Sequence, residues 1–435
     1  MNHPDGLSDA LAFPLVDAVL GRRSRRFGLG MELPSGPMAY RSTHAPVPLS
    51  ELEEAFLAWM GTGLTGLALG DLPGDGLSWM FGWAGRAWPS SCNSHSTELL
   101  FTNDSGLYAL RLSEWLPPDA HTALLAGQSR EAQMALLLKL YRERCLKLAD
   151  GRADLPKGEP GLFKFNAWNA NQPGTTLFVP VTNTTVEYLT LLFIYFDEEH
   201  RFNIVDELDG GSSCGLEPWL KTGRIRRDVE MSLNDLEMRV LTSLNVEQAF
   251  ICQNMTLALQ ALGLGGWTFT GFLPHHLLGG ADYCEGLGFR FITPQRTIRR
   301  RLVPTPVGRD GLIEGLCPPY VANMREAVER FLERQAADLS RPSPYGDPAA
   351  VMGGRPQPTD ETIEIVIAFC THVLDRYGRF PAYIDPMFVR LVVQAHHLDL
   401  DFYDRHYEPG AYGPAHRDHM ARWHPATQTP PPAKE

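Results

Sequence analysis

The chain has 435 residues, 44% of them apolar and 21% charged, with a formal net charge of −12. That length can bury a large core in more than one lobe, and the composition is ordinary for a globular protein. The acidic balance argues against a nonspecific nucleic-acid binder, whose footprint is a basic domain. Seven scattered cysteines without CxxC spacing argue against a disulfide framework or a zinc knuckle.

The N-terminal stretch carries no basic segment ahead of its apolar residues, so no secretory signal is expected. The longest apolar runs, such as "YLTLLFIYF", fall far short of the roughly 20 residues a membrane helix needs. A cytoplasmic protein with neither a membrane nor a nucleic-acid partner is expected.

Leu11, Leu15, Ala18 and Val19 recur at helical spacing, and Gly21 closes that predicted helix. Next comes "GRRSRRFG", with Arg22, Arg23, Arg25 and Arg26 in close succession. Such guanidiniums repel one another unless an anion sits among them or water screens them. In an acidic chain so local a cluster favours a small anionic ligand over a polymer. "PLSELEEAFLAWM" predicts a helix capped by Ser50, with Glu53 completing a capping box. The glycine-rich "GTGLTGLALGDLPGDG" reads as a loop, "TELLFTN" as a strand, and "SGLYALRL" as its return.

"REAQMALLLKLYRERCLKLAD" reads as helical throughout, and the Val-, Thr-, Phe- and Tyr-rich stretch from "GTTLFVP" to "VDELDG" as two or three strands. "NVEQAFICQNMTLALQALGLGGW" is the strongest predicted helix. Its apolar face comprises Phe250, Met255, Leu257, Ala258, Ala261 and Leu262, and Gly263 closes it. Near the C-terminus "TDETIEIVIAFCTHVLDRYG" predicts a helix ending at Gly378. "DPMFVRLVVQAHHL" predicts another, with Asp385 as cap and Pro386 in its first turn. These shifts suggest a discontinuous core over 1–114 and 236–340, an inserted α/β subdomain over 115–235, a linker over 341–360, a C-terminal helical unit over 361–424 and a disordered tail over 425–435.

The run "PSSCNSHST" leads small and amide-bearing residues straight into an apolar strand. It offers N–H, hydroxyl and carboxamide groups able to pair with a flat heterocycle. Together with "RRSRRF" before it and "QNMTLALQALGLGGW" after it, this run resembles the nitroreductase superfamily of FMN enzymes. "PSSCNSH" followed by "SGLY" is also similar to the branch that contains azoline dehydrogenases. The resemblance covers about residues 11–112 and 240–305.

The resemblance implies an α+β fold, a mixed sheet flanked by helices, here carrying an inserted subdomain and a C-terminal helical extension. It implies FMN held noncovalently at the two-fold interface of a homodimer, NAD(P)H as reductant and a small-molecule substrate. By the same resemblance, Arg22, Arg23, Ser24 and Arg26 would hold the phosphate and ribityl chain. Guanidinium–phosphate bonds are strong and directional, which suits that role. Pro89, Ser90, Ser91 and Asn93 would line the ring, with the Asn93 amide at its pyrimidine edge. Backbone N–H groups of Thr270 and Gly271 would approach the flavin N5, and Arg296 and Arg299 would add phosphate contacts. Arg25 matches no such role and is expected to face water. No catalytic acid or base is assigned, because the cofactor carries the chemistry.

The acidic residue usual in the loop near N5 is not recognisable in "TFTGF". A noncatalytic binding or scaffold protein of the same fold, with or without flavin, is therefore the alternative to an oxidoreductase. Cys92 reads as a packed small residue rather than a nucleophile. His416 and His419, at i and i+3 in a histidine-rich C-terminal stretch, could reach one metal. Without a diagnostic spacing such as HExxH, no metal site is assigned from them.

Overall fold

The computed structural model describes residues 4–67, 84–112, 129–294, 304–339, 345–347, 349–350 and 357–425. Arg296, Arg299, most of the expected linker and the tail from 426 onward lie outside these residues. The class is α+β, as expected.

The central sheet is built from β1 (Thr97–Asn103), β2 (Gly106–Leu110), β3 (Cys145–Asp150), β4 (Thr176–Asn183), β5 (Gly265–Phe269), β6 (Met387–Phe388) and β7 (Val392–His396). Its order is β5-β7-β4-β1-β2-β3, with β6 also pairing with β4. Every one of these ladders is antiparallel. The mixed sheet that was expected is thus antiparallel at its centre, and parallel pairing among the described strands joins Asn203–Val205 to Glu230–Ser232. Side chains of a strand alternate between faces. Leu99, Phe101, Phe178, Val393 and Ala395 accordingly enter one apolar cluster, whereas Leu100, Leu177, Val179, Val181 and Val392 enter the other.

The helices that frame the candidate sites are α1 (Asp5–Ala12), α2 (Leu15–Gly21), α3 (Glu51–Thr62), α4 (Arg130–Arg144), α5 (Thr184–Tyr195), α6 (Leu233–Leu262) and α7 (Pro414–Trp423). The N-terminal apolar periodicity spans two helices, because Phe13 and Pro14 are extended between α1 and α2. The Ser50 box caps α3 as the sequence predicts: Ser50 Oγ accepts from Glu53 N, and Glu53 Oε2 accepts from Ser50 N at 2.6 Å. The helix over 130–144 ends at Arg144, and the following six residues form β3 rather than more helix.

Over 176–210 the expected two or three strands become β4, α5 and one short strand. Asn183 turns the chain by capping α5 on Thr185 N. Val186, Leu189, Leu192, Phe193 and Phe196 then bury one helical face, and tertiary packing overrides their strand propensity. The segment read as a C-terminal helix from Pro386 instead supplies β6 and β7, and Asp385 pairs with Arg379 at 2.8 Å rather than capping a helix. Fully buried strands read as continuous apolar runs, which periodicity cannot separate from helix. Strands from the regions expected to be an insertion and an extension therefore lie side by side at the centre of the sheet, β4 beside β7.

Helix α6 links the apolar cluster around α5 to the one between α3 and the sheet. Leu233, Leu236, Val240 and Leu244 pack with α5, whereas Ile251, Met255, Leu259 and Leu262 pack under α3 and the sheet. Gly263 closes α6 in the left-handed conformation at φ 75°. Phe250, expected on its buried face, is exposed instead.

Candidate functional site

The arginine cluster begins where α2 ends. Arg22, Arg23 and Ser24 are exposed, and Arg23 Nη1 donates to the nearby carbonyls of Leu20 and Arg22. Arg25 is the buried member at 4% exposure, which corrects the expectation that it faces water. Its backbone bridges Gly266 within β5, while its side chain donates to Ala411 O at 2.8 Å, Gln260 Oε1 at 2.7 Å and Gly21 O at 3.2 Å. Burial lowers the guanidinium to about 10, Tyr403 opposing that shift. Its role is to tie the cluster to the C-terminal end of α6.

Arg26 lies over two indoles, 5.6 Å from the Trp168 centroid and 5.1 Å from that of Trp267. Its Nη2 donates to Phe165 O at 3.1 Å, Asn166 Oδ1 at 2.6 Å and Asn169 Oδ1 at 3.3 Å. Arg26 Nε and Trp267 Nε1 are buried donors that find no acceptor among the described residues. Buried donors are seldom left so, and each has an energetic cost.

The loop after β5 joins this corner. Gly271 O accepts from Phe163 N at 3.1 Å, and a Cβ at Gly271 would meet Asn166 Nδ2 at 2.1 Å. The asparagine that holds Arg26 therefore packs directly against Gly271, and a side chain at 271 would push its amide aside. Thr270 beside it is exposed.

The Pro89–His95 loop forms a second corner. Cys92, Asn93 and His95 take φ values of 49°, 56° and 42°, unusual for residues with a Cβ. Polar bonds compensate: Ser90 Oγ donates to Glu247 Oε1 and accepts from His95 N at 3.0 Å, and Asn93 Oδ1 lies 2.6 Å from His95 Nε2. Thr97 Oγ1 donates to Glu247 Oε2 at 2.7 Å. Burial pushes Cys92 up to about 11, which agrees with a packed thiol.

Sequence reasoning missed the two carboxylates under this loop. Burial raises Glu247, and it raises Glu187 to about 8, with the nearby Ser94 and Ser91 hydroxyls opposing that shift. Each is an acidic residue on an otherwise buried helical face, and that placement is the signal that could have found them. A cleft of about 840 Å³ opens beside the loop, lined by Ser91, Leu191, Tyr195, Phe202, Met231 and Arg239.

The structure thus brings Arg26 together with Thr270 and Gly271, but holds Pro89, Ser90, Ser91 and Asn93 elsewhere. The corners are anchored on α6 at Gln260 and Glu247, about 20 Å apart at the helical rise. Within one copy they do not enclose one ligand. At the first corner two buried donors lack partners among the described residues.

No protein-family model matches the chain, and no curated protein matches it. Among solved structures, a provisionally named nitroreductase from Ralstonia eutropha JMP134 matches at 14% sequence identity, with 61% of this chain and 74% of that chain covered and a TM-score of 0.27. Similarity at that level establishes neither a family nor a shared site.

Proposed function

We propose that the protein is an FMN-dependent oxidoreductase of the nitroreductase type, working between NAD(P)H and a small organic substrate as a homodimer. The observation that carries this reading is the pair of buried donors, Arg26 Nε and Trp267 Nε1, that find no partner among the described residues, beside the exposed Arg22, Arg23 and Ser24. A phosphate-bearing, acceptor-rich cofactor would satisfy both donors and draw on the exposed guanidiniums. Bound FMN would supply the two-electron redox chemistry.

Exposed apolar residues support the homodimer. Leu15 and Leu20 on α2 are each 70% exposed, next to the arginines, and Val246 and Phe250 are exposed on α6. Val246, Phe250 and Leu257 recur at helical spacing along the face of α6 between the two corners. Two copies packing that face antiparallel about a two-fold axis would set the Asn93 loop of one copy near the Arg26 corner of the other. The flavin site would then be composite. In it Arg22, Arg23, Ser24 and Arg26 bind the phosphate end, Pro89, Ser90, Ser91 and Asn93 border the ring, and the Thr270–Gly271 backbone faces its reactive edge.

The test is anaerobic mixing of FMN-loaded protein with NADH and with NADPH. Bleaching of the flavin absorbance by either is expected. Tight flavin binding without bleaching would favour the noncatalytic alternative.

A further inference from the structure

We propose that Glu53, His397, His419 and His424 form a closed four-ligand site for a divalent transition-metal ion of the zinc class. Four groups from three distant parts of the chain converge there: Glu53 in the first turn of α3, His397 just after β7, and His419 and His424 at the end of the chain's last described helix, α7. His416, spaced so that it could share an ion with His419, is not part of the cluster. His416 Nδ1 accepts from Gly413 N at 3.3 Å, and His419 turns to Glu53 instead.

The geometry is that of a coordination shell. Glu53 Oε1 lies 3.3 Å from His397 Nε2, 2.9 Å from His419 Nε2 and 3.2 Å from His424 Nε2, and the His397 and His424 Nε2 atoms are 3.1 Å apart. Ligands at 2.0–2.1 Å from a tetrahedral zinc ion are separated from one another by about 3.3 Å.

The protonation pattern agrees. His397 Nδ1 lies 2.9 Å from Val47 O, and His419 Nδ1 lies 2.7 Å from Leu262 O. A carbonyl only accepts, so each Nδ1 carries the hydrogen, which frees each Nε2 to offer a lone pair toward the Glu53 side of the cluster when the ring is neutral. A backbone carbonyl on the remote nitrogen is the usual outer partner of a metal-bound histidine. Glu53 is oriented by the capping box: its Oε2 accepts from Ser50 N and also lies 3.2 Å from His424 Nε2, while Oε1 faces all three rings. The Nε2 atoms of His397 and His424, 3.1 Å apart beside a carboxylate oxygen, need a proton or a cation between them.

Burial distinguishes a structural site from a catalytic one. The Glu53, His397 and His419 side chains are almost completely enclosed, and His424 is 12% exposed. Four protein ligands leave no open position for substrate. The ion would clamp α3 to the end of β7 and to α7, and it is independent of the flavin reading.

The experiment uses the full chain made without a tag. Elemental analysis is expected to find about one zinc-class ion per chain. Chelator-treated protein should take up Co²⁺ with the intense visible bands of four-coordinate cobalt, which Zn²⁺ then bleaches by displacement. Chelation should lower the melting temperature, with recovery on adding Zn²⁺ but not Mg²⁺. His424→Ala, at the most exposed ligand, should weaken Zn²⁺ binding by more than about 100-fold, beyond the usual cost of losing an outer partner. His200→Ala, at an exposed histidine outside the site, should leave binding unchanged. A wild-type chain that takes up no Zn²⁺ or Co²⁺, or binds Co²⁺ only in octahedral, weakly absorbing form, would overturn the proposal and leave a proton-bridged network. Unchanged Zn²⁺ affinity in both His424→Ala and His397→Ala would overturn it equally.

Discussion

Arg25 and Gln260, 235 positions apart in the chain, are joined inside the protein by a 2.7 Å hydrogen bond from guanidinium to carboxamide. This bond fixes the arginine cluster to the C-terminal end of α6. It also divides the cluster, because Arg25 is buried and structural while Arg22 and Arg23 are exposed. Arg25→Ala would leave Gln260 Oε1 and Ala411 O without that donor. It should cost about 2–4 kcal/mol, since buried groups left unpaired are each worth about 1–3 kcal/mol. The check is the midpoint of denaturant unfolding, with the slope unchanged.

Arg26→Ala should separate binding from stability. Loss of one charge-assisted phosphate contact is worth about 1.5–3 kcal/mol, or roughly ten- to hundred-fold in FMN affinity. Fluorescence titration with FMN would measure it, alongside unfolding of the same variant. The stability loss should be smaller than that of Arg25→Ala, because Arg26 is only half-buried.

Ser50→Ala removes the hydroxyl that caps α3 while retaining the backbone N–H that holds Glu53 Oε2. A destabilisation of about 1 kcal/mol is expected, typical of a lost N-cap. Thermal and denaturant unfolding would show it, and Zn²⁺ uptake should persist.

Glu187 predicts a pH dependence with a definite sign. Its folded carboxyl titrates near 8, raised by burial from an ordinary value of 4.5. Between those values the folded state holds the proton and the unfolded state does not. Stability from this group is therefore fully present below about pH 4.5 and declines as pH rises through about 8. Glu187→Gln cannot ionise, so its unfolding free energy should fall less steeply over that range than that of the wild type.

Much of the scaffold was legible in the residues. The Ser50–Glu53 box, the β1–β2 hairpin and the glycine stops at Gly263 and Gly378 each form as their local chemistry requires. Local chemistry does not decide between strand and helix for fully buried segments. "TVEYLTLLFIY" has strand-forming residues but folds as α5 once Asn183 caps it, and "LVVQAH" reads as helix but is zipped between β4 and β5. Convergence was equally hidden. Nothing near Glu53 in the sequence announces His397, and nothing near Arg26 announces Asn166 or Trp168. The arginines and the serine–asparagine loop were legible as candidate ligand groups, but their separation along α6 was not.

The exposed apolar residues predict the assembly. Leu20→Asp combined with Phe250→Asp places charges on two exposed apolar positions without touching the core. Light scattering behind gel filtration should report a dimer for the wild type and a monomer for the double variant. The monomer should lose FMN retention while keeping its circular dichroism spectrum.

Flavin binding underlies the whole functional reading, and it can be read from the absorption spectrum of the purified chain after incubation with FMN and gel filtration. A yellow protein retaining about one flavin per chain is expected, with retention weakened by Arg26→Ala and by Asn93→Ala. A colourless protein that takes up no added FMN would contradict it.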